Sequence, residues 1–228
     1  MLDLTTDDIV AIALSVKVAT VAVAASLPVA VVVGYALARW RFPGHAAINA
    51  AVHLPLVLPP VVTGFALLLL FGRHGPIGAF LAQHFGLVFA FRWTGAALAA
   101  AVMSFPLMVR PVRLAFESVD PRLAAAARSL GASRLWAFAL IELPLAGNGV
   151  LVGAILGFAK ALGEFGATIT FVSSIPGETR TIPAAIYALL QAPDGDASAL
   201  RLAAIAASIA VVALVASEAL QSRLGAAR

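Results

Sequence analysis

Cysteine is absent from the 228 residues, so disulfides, thiol nucleophiles and cysteine-ligated metals are excluded. Charge is scarce: 11% of the residues are Asp, Glu, Lys or Arg, where a soluble domain carries about 25%. There is no Gly-x-x-x-x-Gly-Lys-Ser/Thr phosphate loop, so the chain is not expected to hydrolyse ATP alone. A Gly-x-Ser-x-Gly nucleophile elbow is also missing. His45, His53, His74 and His84 are scattered and lack zinc-ligand spacing, so no metal site is expected. An intramembrane protease needs a paired acid, a Ser/His pair or metal ligands at membrane depth, and none stands out. The first residues, Met1 to Asp8, are acidic, whereas a cleaved signal peptide opens with positive charge. The first apolar run therefore reads as a retained helix. No internal repeat or low-complexity tract is visible.

What fills the chain is apolar. Hydrophobic residues make up 62% of it, which predicts an all-α, polytopic helical membrane protein with a single domain over residues 9–220. About five spans are expected, at roughly 9–38, 51–71, 94–112, 148–171 and 197–220, each long enough for about 30 Å of hydrocarbon. Lys17 lies near the start of the first and can snorkel to the interface. The second contains Pro55, Pro59, Pro60 and Gly64, so a broken helix is predicted there. Broken backbone at membrane depth survives only against protein or a water-filled cavity. Residues 72–93 read as a loop. The fourth span carries Gly149, Gly153 and Gly157 at four-residue spacing, a face suited to close helix packing. A short apolar helix is expected at Pro183–Leu190.

Five spans put the ends on opposite sides. Nine arginines fall in the tail and in the loops after spans one and three: Arg39, Arg41, Arg110, Arg113, Arg122, Arg128, Arg134, Arg223 and Arg228. At most four fall elsewhere: Arg73, Arg92, Arg180 and Arg201. Cytoplasmic loops carry the positive excess. The count predicts an outside N-terminus, an inside C-terminus and a cytoplasmic loop at 113–146. The arginines punctuate apolar runs instead of forming a stripe, so nucleic acid is not expected as a partner.

Within that loop, Asp120 is a good N-cap and Pro121 fits a first helical position. Gly131 is a natural stop able to take positive φ, and Ser133 can cap a second helix that Pro144 kinks or ends. The first helix, about ten residues long, has a face of alanines that lets another backbone come close. Ala126, Ala127, Gly131, Ile141, Leu143 and Pro144 stand at the spacing of Glu-Ala-Ala, three residues, Gly, nine residues, Ile, one residue, Leu-Pro. This resembles the EAA loop of ABC-importer permeases, with Ala125 at the Glu position. The resemblance implies a coupling helix that docks on a separate ATPase subunit. A surface amphipathic helix is the competing reading.

Lys160 and Glu164, four apart on one helix face, are the notable intramembrane charges. They read either as functional groups or as a structural ion pair. Thr168 and Thr170 are less telling, because threonine often bonds its own helix backbone. An oxyanion pathway needs no fixed cation, since backbone N–H groups and hydroxyls solvate the ion. Pro59, Pro60 and Thr63 at the broken span are therefore pathway candidates beside Lys160, Glu164 and Thr168.

Four blocks widen the resemblance: His53 to Val62, Met103 to Arg110, Gly163 to Val172 and Ile175 to Pro183. They look like the bacterial molybdate ABC-importer permease, over about Ile9 to Leu220. That resemblance implies a type I ABC-importer permease fold and a homodimer in the cytoplasmic (inner) membrane. It also implies two ATP-binding-cassette subunits carrying ATP and Mg, and an extracytoplasmic molybdate-binding protein. No cofactor is implied for this chain itself. A tungstate or sulfate permease is the nearest alternative. An ATP-independent channel or ion-coupled carrier using Lys160 and Glu164, or a purely structural membrane subunit, would belong to other classes.

Overall fold

The computed structural model describes residues 4–226, and the side chains of residues 4–216. Arg228 and the side chain of Arg223, both used in the charge count, lie outside the described residues. Every regular element among the described residues is helical. In chain order these are α1 (Thr6–Arg39), α2 (His45–Val57), α3 (Pro60–Phe71), α4 (Pro76–Phe85), α5 (Trp93–Ser118), α6 (Pro121–Ser129) and α7 (Arg134–Ala137). A π-helical turn (Phe138–Glu142) follows, then α8 (Leu143–Leu145), α9 (Gly147–Leu162), α10 (Gly166–Val172), α11 (Ile182–Leu189) and α12 (Asp196–Ala226).

Helix α1 opens on a reciprocal cap. The Asp8 amide donates to Thr5 Oγ1 (3.2 Å) and the Thr5 amide to Asp8 Oδ2 (3.0 Å). It runs beside α5 in the same direction. Lys17 Nζ lies 3.6 Å from the centre of the Trp93 ring, Ser26 Oγ is 3.8 Å from Met108 Sδ, and Arg39 Nη2 donates to the Val119 carbonyl at 2.9 Å. Two parallel helices require a return crossing between them, and α2 with α3 supplies it. Asn49 of α2 accepts from Arg113 at one end of α5 (3.0 Å), while Phe71 of α3 meets Phe89 just before its other end (5.9 Å between ring centres). The two pieces are bent by 113° at Leu58-Pro59.

The next return runs along α9 and α10, antiparallel to α5. Gly153 packs on Met108, where an added Cβ would lie 2.9 Å from its carbonyl oxygen. Gly157 packs on the Met108 side chain, and Val172 reaches Gly95 near the far end. The small-residue face is thus used against α5. Helix α12 leaves the end near Ala11, where Leu202 is buried with Ile182 and Ala185. Farther along it, Val211, Val212, Leu214 and Val215 stay exposed, an apolar face suited to lipid or a second subunit. Among the described residues, three helices are long and apolar enough to cross a membrane, and five crossings result if each of two bent pairs counts as one.

Several sequence expectations need correction. Residues 72–93 are not all loop: α4 forms there, with Pro76 at its first position and Gly86 closing it at φ +67°. Helix α5 does not end at 112 but passes Pro106 and Pro111 to Ser118. Packing against α1 and α9 holds it together where isolated propensity would not. The run 148–171 is interrupted at residues 163–165, between α9 and α10. The Lys17 ammonium sits over the Trp93 indole, a cation–π contact.

Candidate functional site

The loop at the Arg39 end is built from local signals. The Asp120 side chain accepts from the Arg122 amide (2.9 Å), capping α6. Gly131 takes φ +96°, with nothing within 4 Å of the position a Cβ would occupy. The Ala132 amide then bonds back to the Ala127 carbonyl (3.1 Å), closing the helix end. Ser133 Oγ accepts from the Trp136 amide (3.2 Å) and caps α7. Helix α6 has nine residues, none buried, and it rests mainly on α7 and the π turn instead of on the bundle. Ala125 and Ala126 are exposed and Ala127 half-buried. Ile141 is half-buried in the π turn, and Leu143 and Pro144 form α8 below it.

Glu142, between Ile141 and Leu143, is the residue that sequence reasoning missed. It is buried (5% exposed). Its Oε1 lies 3.2 Å from Arg39 Nε, and Oε2 accepts from the Tyr35 hydroxyl at 3.0 Å. Tyr35 in turn meets Phe138 and Phe116 edge-on, at 4.9 and 5.1 Å between ring centres. The local motif leaves the position before Leu143-Pro144 open, and Tyr35 is 107 residues away. The one available signal was an acid inside an apolar run.

The second candidate region lies where two breaks meet. Pro59 caps α3 and Pro60 opens it; a Cβ on Gly166, at the start of α10, would fall 2.6 Å from Pro60 Cβ. One turn on, Gly64 packs on Ala167. Glu164 sits in the gap between α9 and α10. Its Oε1 accepts from the Ala167 amide (3.0 Å), capping α10 from just ahead of its first turn, and its Oε2 pairs with Lys160. The Lys160 side chain is 30% exposed, and that of Glu164 1%. The structure thus brings Pro60, Thr63, Glu164 and Thr168 onto one pair of packed segments, with Lys160 and Pro59 at its edges.

The Thr168 hydroxyl is engaged as expected of a threonine, and the amides at the α3 break are engaged too. Thr168 Oγ1 donates to the carbonyls of Phe165 (2.8 Å) and Glu164 (3.2 Å), so it repairs the break in its own helix. The Val62 and Thr63 amides bond back to the Pro59 carbonyl at 2.9 and 3.3 Å, so the α3 break frees few donors. Thr63 Oγ1 is the exception: it is buried and has no hydrogen-bond partner. Among the described residues, no group of three or more His, Cys, Asp or Glu side chains is placed to hold a metal ion.

Residues 27–225 match the family described as "Binding-protein-dependent transport system inner membrane component". The chain belongs to this family. It is 56% identical to the molybdenum transport system permease protein ModB of Escherichia coli K12 over 208 residues, 91% of each chain. With its Haemophilus influenzae counterpart it shares 50% over 217 residues, 95% of each. A sulfate transport system permease, CysT of Salmonella typhimurium, is 36% identical over 83% of this chain and 68% of its own length. The fold matches a bacterial ABC transporter involved in import of the acidic polysaccharide alginate, with a TM-score of 0.76 over 96% of this chain and 80% of that one, at 17% identity. An amino acid ABC transporter matches at 0.64, covering 95% and 94%, at 19% identity. The chain is therefore an all-α permease component with the ABC-importer permease fold, and it belongs in the inner membrane.

Proposed function

We propose that this permease forms the translocation pathway of an ATP-driven molybdate importer. The observation that carries the substrate is the identity to molybdenum permeases, 56% over nine-tenths of both chains, against 36% for a sulfate permease. In this reading two copies pair in the membrane. Each presents the loop 113–146 to an ATP-binding-cassette subunit, which holds the ATP and Mg; this chain supplies no catalytic group and no cofactor. A molybdate-binding protein delivers the oxyanion from outside. The N-terminus lies outside and the C-terminus inside.

The loop geometry supports docking. Helix α6 is capped at both ends, exposed, and detached from the bundle, and its alanines at 125–127 admit a close approach by another backbone. ATP binding would draw the two α6 helices together and tip the bundle outward-facing; hydrolysis would return it, a two-state movement biased by nucleotide. The meeting point of the α3 and α9–α10 breaks is the part of the pathway we assign to Pro59, Pro60, Thr63, Lys160, Glu164 and Thr168. An ion-coupled carrier is less well supported. The Glu164 carboxylate is fully engaged by Lys160 and the Ala167 amide, which favours a structural tie over a proton relay.

The test is uptake into proteoliposomes holding the permease and its ATPase, fed by the binding protein. Molybdate uptake that requires ATP is expected, with sulfate excluded. Uptake without ATP would place the chain among the carriers. Sulfate uptake at equal rate would reassign the substrate.

A further inference from the structure

We propose that Arg39 is a positioning residue that ties both stems of the α6 loop to α1, so that a displacement of α6 reaches the bundle as a movement of α1. The proposal rests on the ATP-coupled reading above.

Three contacts make the tie. Arg39 Nη2 donates to the carbonyl of Val119, the residue that ends α5 where the loop departs (2.9 Å). Arg39 Nε lies within ion-pair distance of Glu142 Oε1 where the loop returns (3.2 Å), without a hydrogen bond between them. One turn earlier on α1, the Tyr35 hydroxyl donates to Glu142 Oε2 (3.0 Å). Arg39 stands in the last turn of α1, where a cation is favoured by the helix dipole. The joint is largely buried: the Arg39 side chain is 16% exposed and that of Glu142 6%. Phe116, Val119 and Ala146 are buried around it, with Tyr35, Phe138 and Leu143 packed against them.

The route is narrow. Helix α6 rests mainly on α7 and the π turn. A push on α6 therefore arrives at the π turn, whose extra residue per turn points Glu142 inward. Such turns recur at functional positions. From Glu142 the connections run to Arg39 and Tyr35, both on α1. The planar fork of Arg39 reaches the two stems at once, which a lysine ammonium cannot reproduce.

Two experiments test this. The first leaves these residues unaltered. Spin labels at positions 129 and 32 report the distance from α6 to α1 in the complex with its ATPase; labels at 129 and 62 report the distance from α6 to α3. With nucleotide added, the first distance is expected to hold within about 2 Å while the second shifts further. Equal shifts in both would overturn the proposal. The second compares Arg39→Lys with the unaltered chain. A merely structural ion pair tolerates lysine. The proposal expects assembly and ATP hydrolysis to persist while substrate moved per ATP falls about fivefold or more. An unchanged ratio would overturn it. Loss of assembly in Arg39→Lys, with equal nucleotide shifts in the labelled protein, would reduce Arg39 to a folding role. If the unaltered complex hydrolyses ATP but moves no molybdate, the substrate reading fails while the label distances still decide the joint.

Discussion

Gly64 of α3 packs so closely on α10 that an added Cβ would lie 2.5 Å from the Ala167 carbonyl oxygen. Both segments begin at breaks, so this contact is what registers one broken crossing against the other. Gly64→Ala is expected to push α3 outward and cost about 1–3 kcal/mol, the usual range for overpacking. Gly147→Ala is the control, because nothing lies within 4 Å of its Cβ position. Thermal unfolding in detergent checks the pair. Equal melting temperatures would mean that α3 is free to move away, and that the contact does not set the register.

Lys160 and Glu164 give the second prediction. Glu164 is buried, and it holds both the lysine and the Ala167 amide. Lys160→Met leaves a carboxylate with one partner fewer, a loss of about 3 kcal/mol when a buried pair is broken one-sidedly. Lys160→Met combined with Glu164→Leu removes both charges and should recover most of that stability, short of the Ala167 cap. Melting temperature and uptake are measured together. Recovered stability without uptake would assign the pair to the pathway; recovery of both would leave it as a structural tie.

The loop was legible because its signals are local. Asp120, Gly131 and Ser133 each act within three or four residues, and each does in the structure what its side chain or flexibility dictates. The glycine face of α9 was legible for the same reason: period and size suffice. Glu142 was not, since its meaning comes from Tyr35 and Arg39 on a helix far away in sequence. The continuation of α5 beyond Pro111 was hidden as well. Proline penalises a helix locally, and the compensating contacts with α1 and α9 are tertiary. The break at 163–165 has no proline to announce it, and Glu164 caps α10 with its own side chain. Helix α4 was announced by Pro76 and Gly86, but it lies in a stretch whose Gly-Pro turn and flanking arginines read as loop.

A third prediction concerns Gly131. Its φ of +96° is strained for any side chain, although the space around it is open. Gly131→Val should therefore cost about 1–3 kcal/mol through the backbone alone, and Gly131→Asn much less. The strain should re-aim α6 without disturbing the bundle. Ala126→Trp is expected to act alike by blocking close approach. Pull-down of the ATPase and ATP-driven uptake are the measurements. Normal docking and uptake in Gly131→Val and Ala126→Trp would make α6 an ordinary surface helix.

The last prediction concerns orientation, and the absence of cysteine makes it direct. Any single cysteine added becomes the sole thiol, so labelling reports one site without background. Gln83 of α4 and Ser129 of α6 are both exposed. Gln83 belongs to the segment between Phe71 and Trp93, at the end of α5 where Lys17 meets Trp93. Ser129 lies at the opposite end, beyond Val119 and the Arg39 tie. The 26 residues of α5 separate them, about 39 Å at helical rise, enough to cross the hydrocarbon. The arginine excess at the Arg39 end predicts that this end faces the cytoplasm. Gln83→Cys should react with a membrane-impermeant maleimide in intact spheroplasts. Ser129→Cys should react only after permeabilisation. The reverse pattern would invert the chain and leave α6 on the side without ATP, where the proposed docking is impossible. Labelling of both from outside would mean that α5 does not cross the membrane at all.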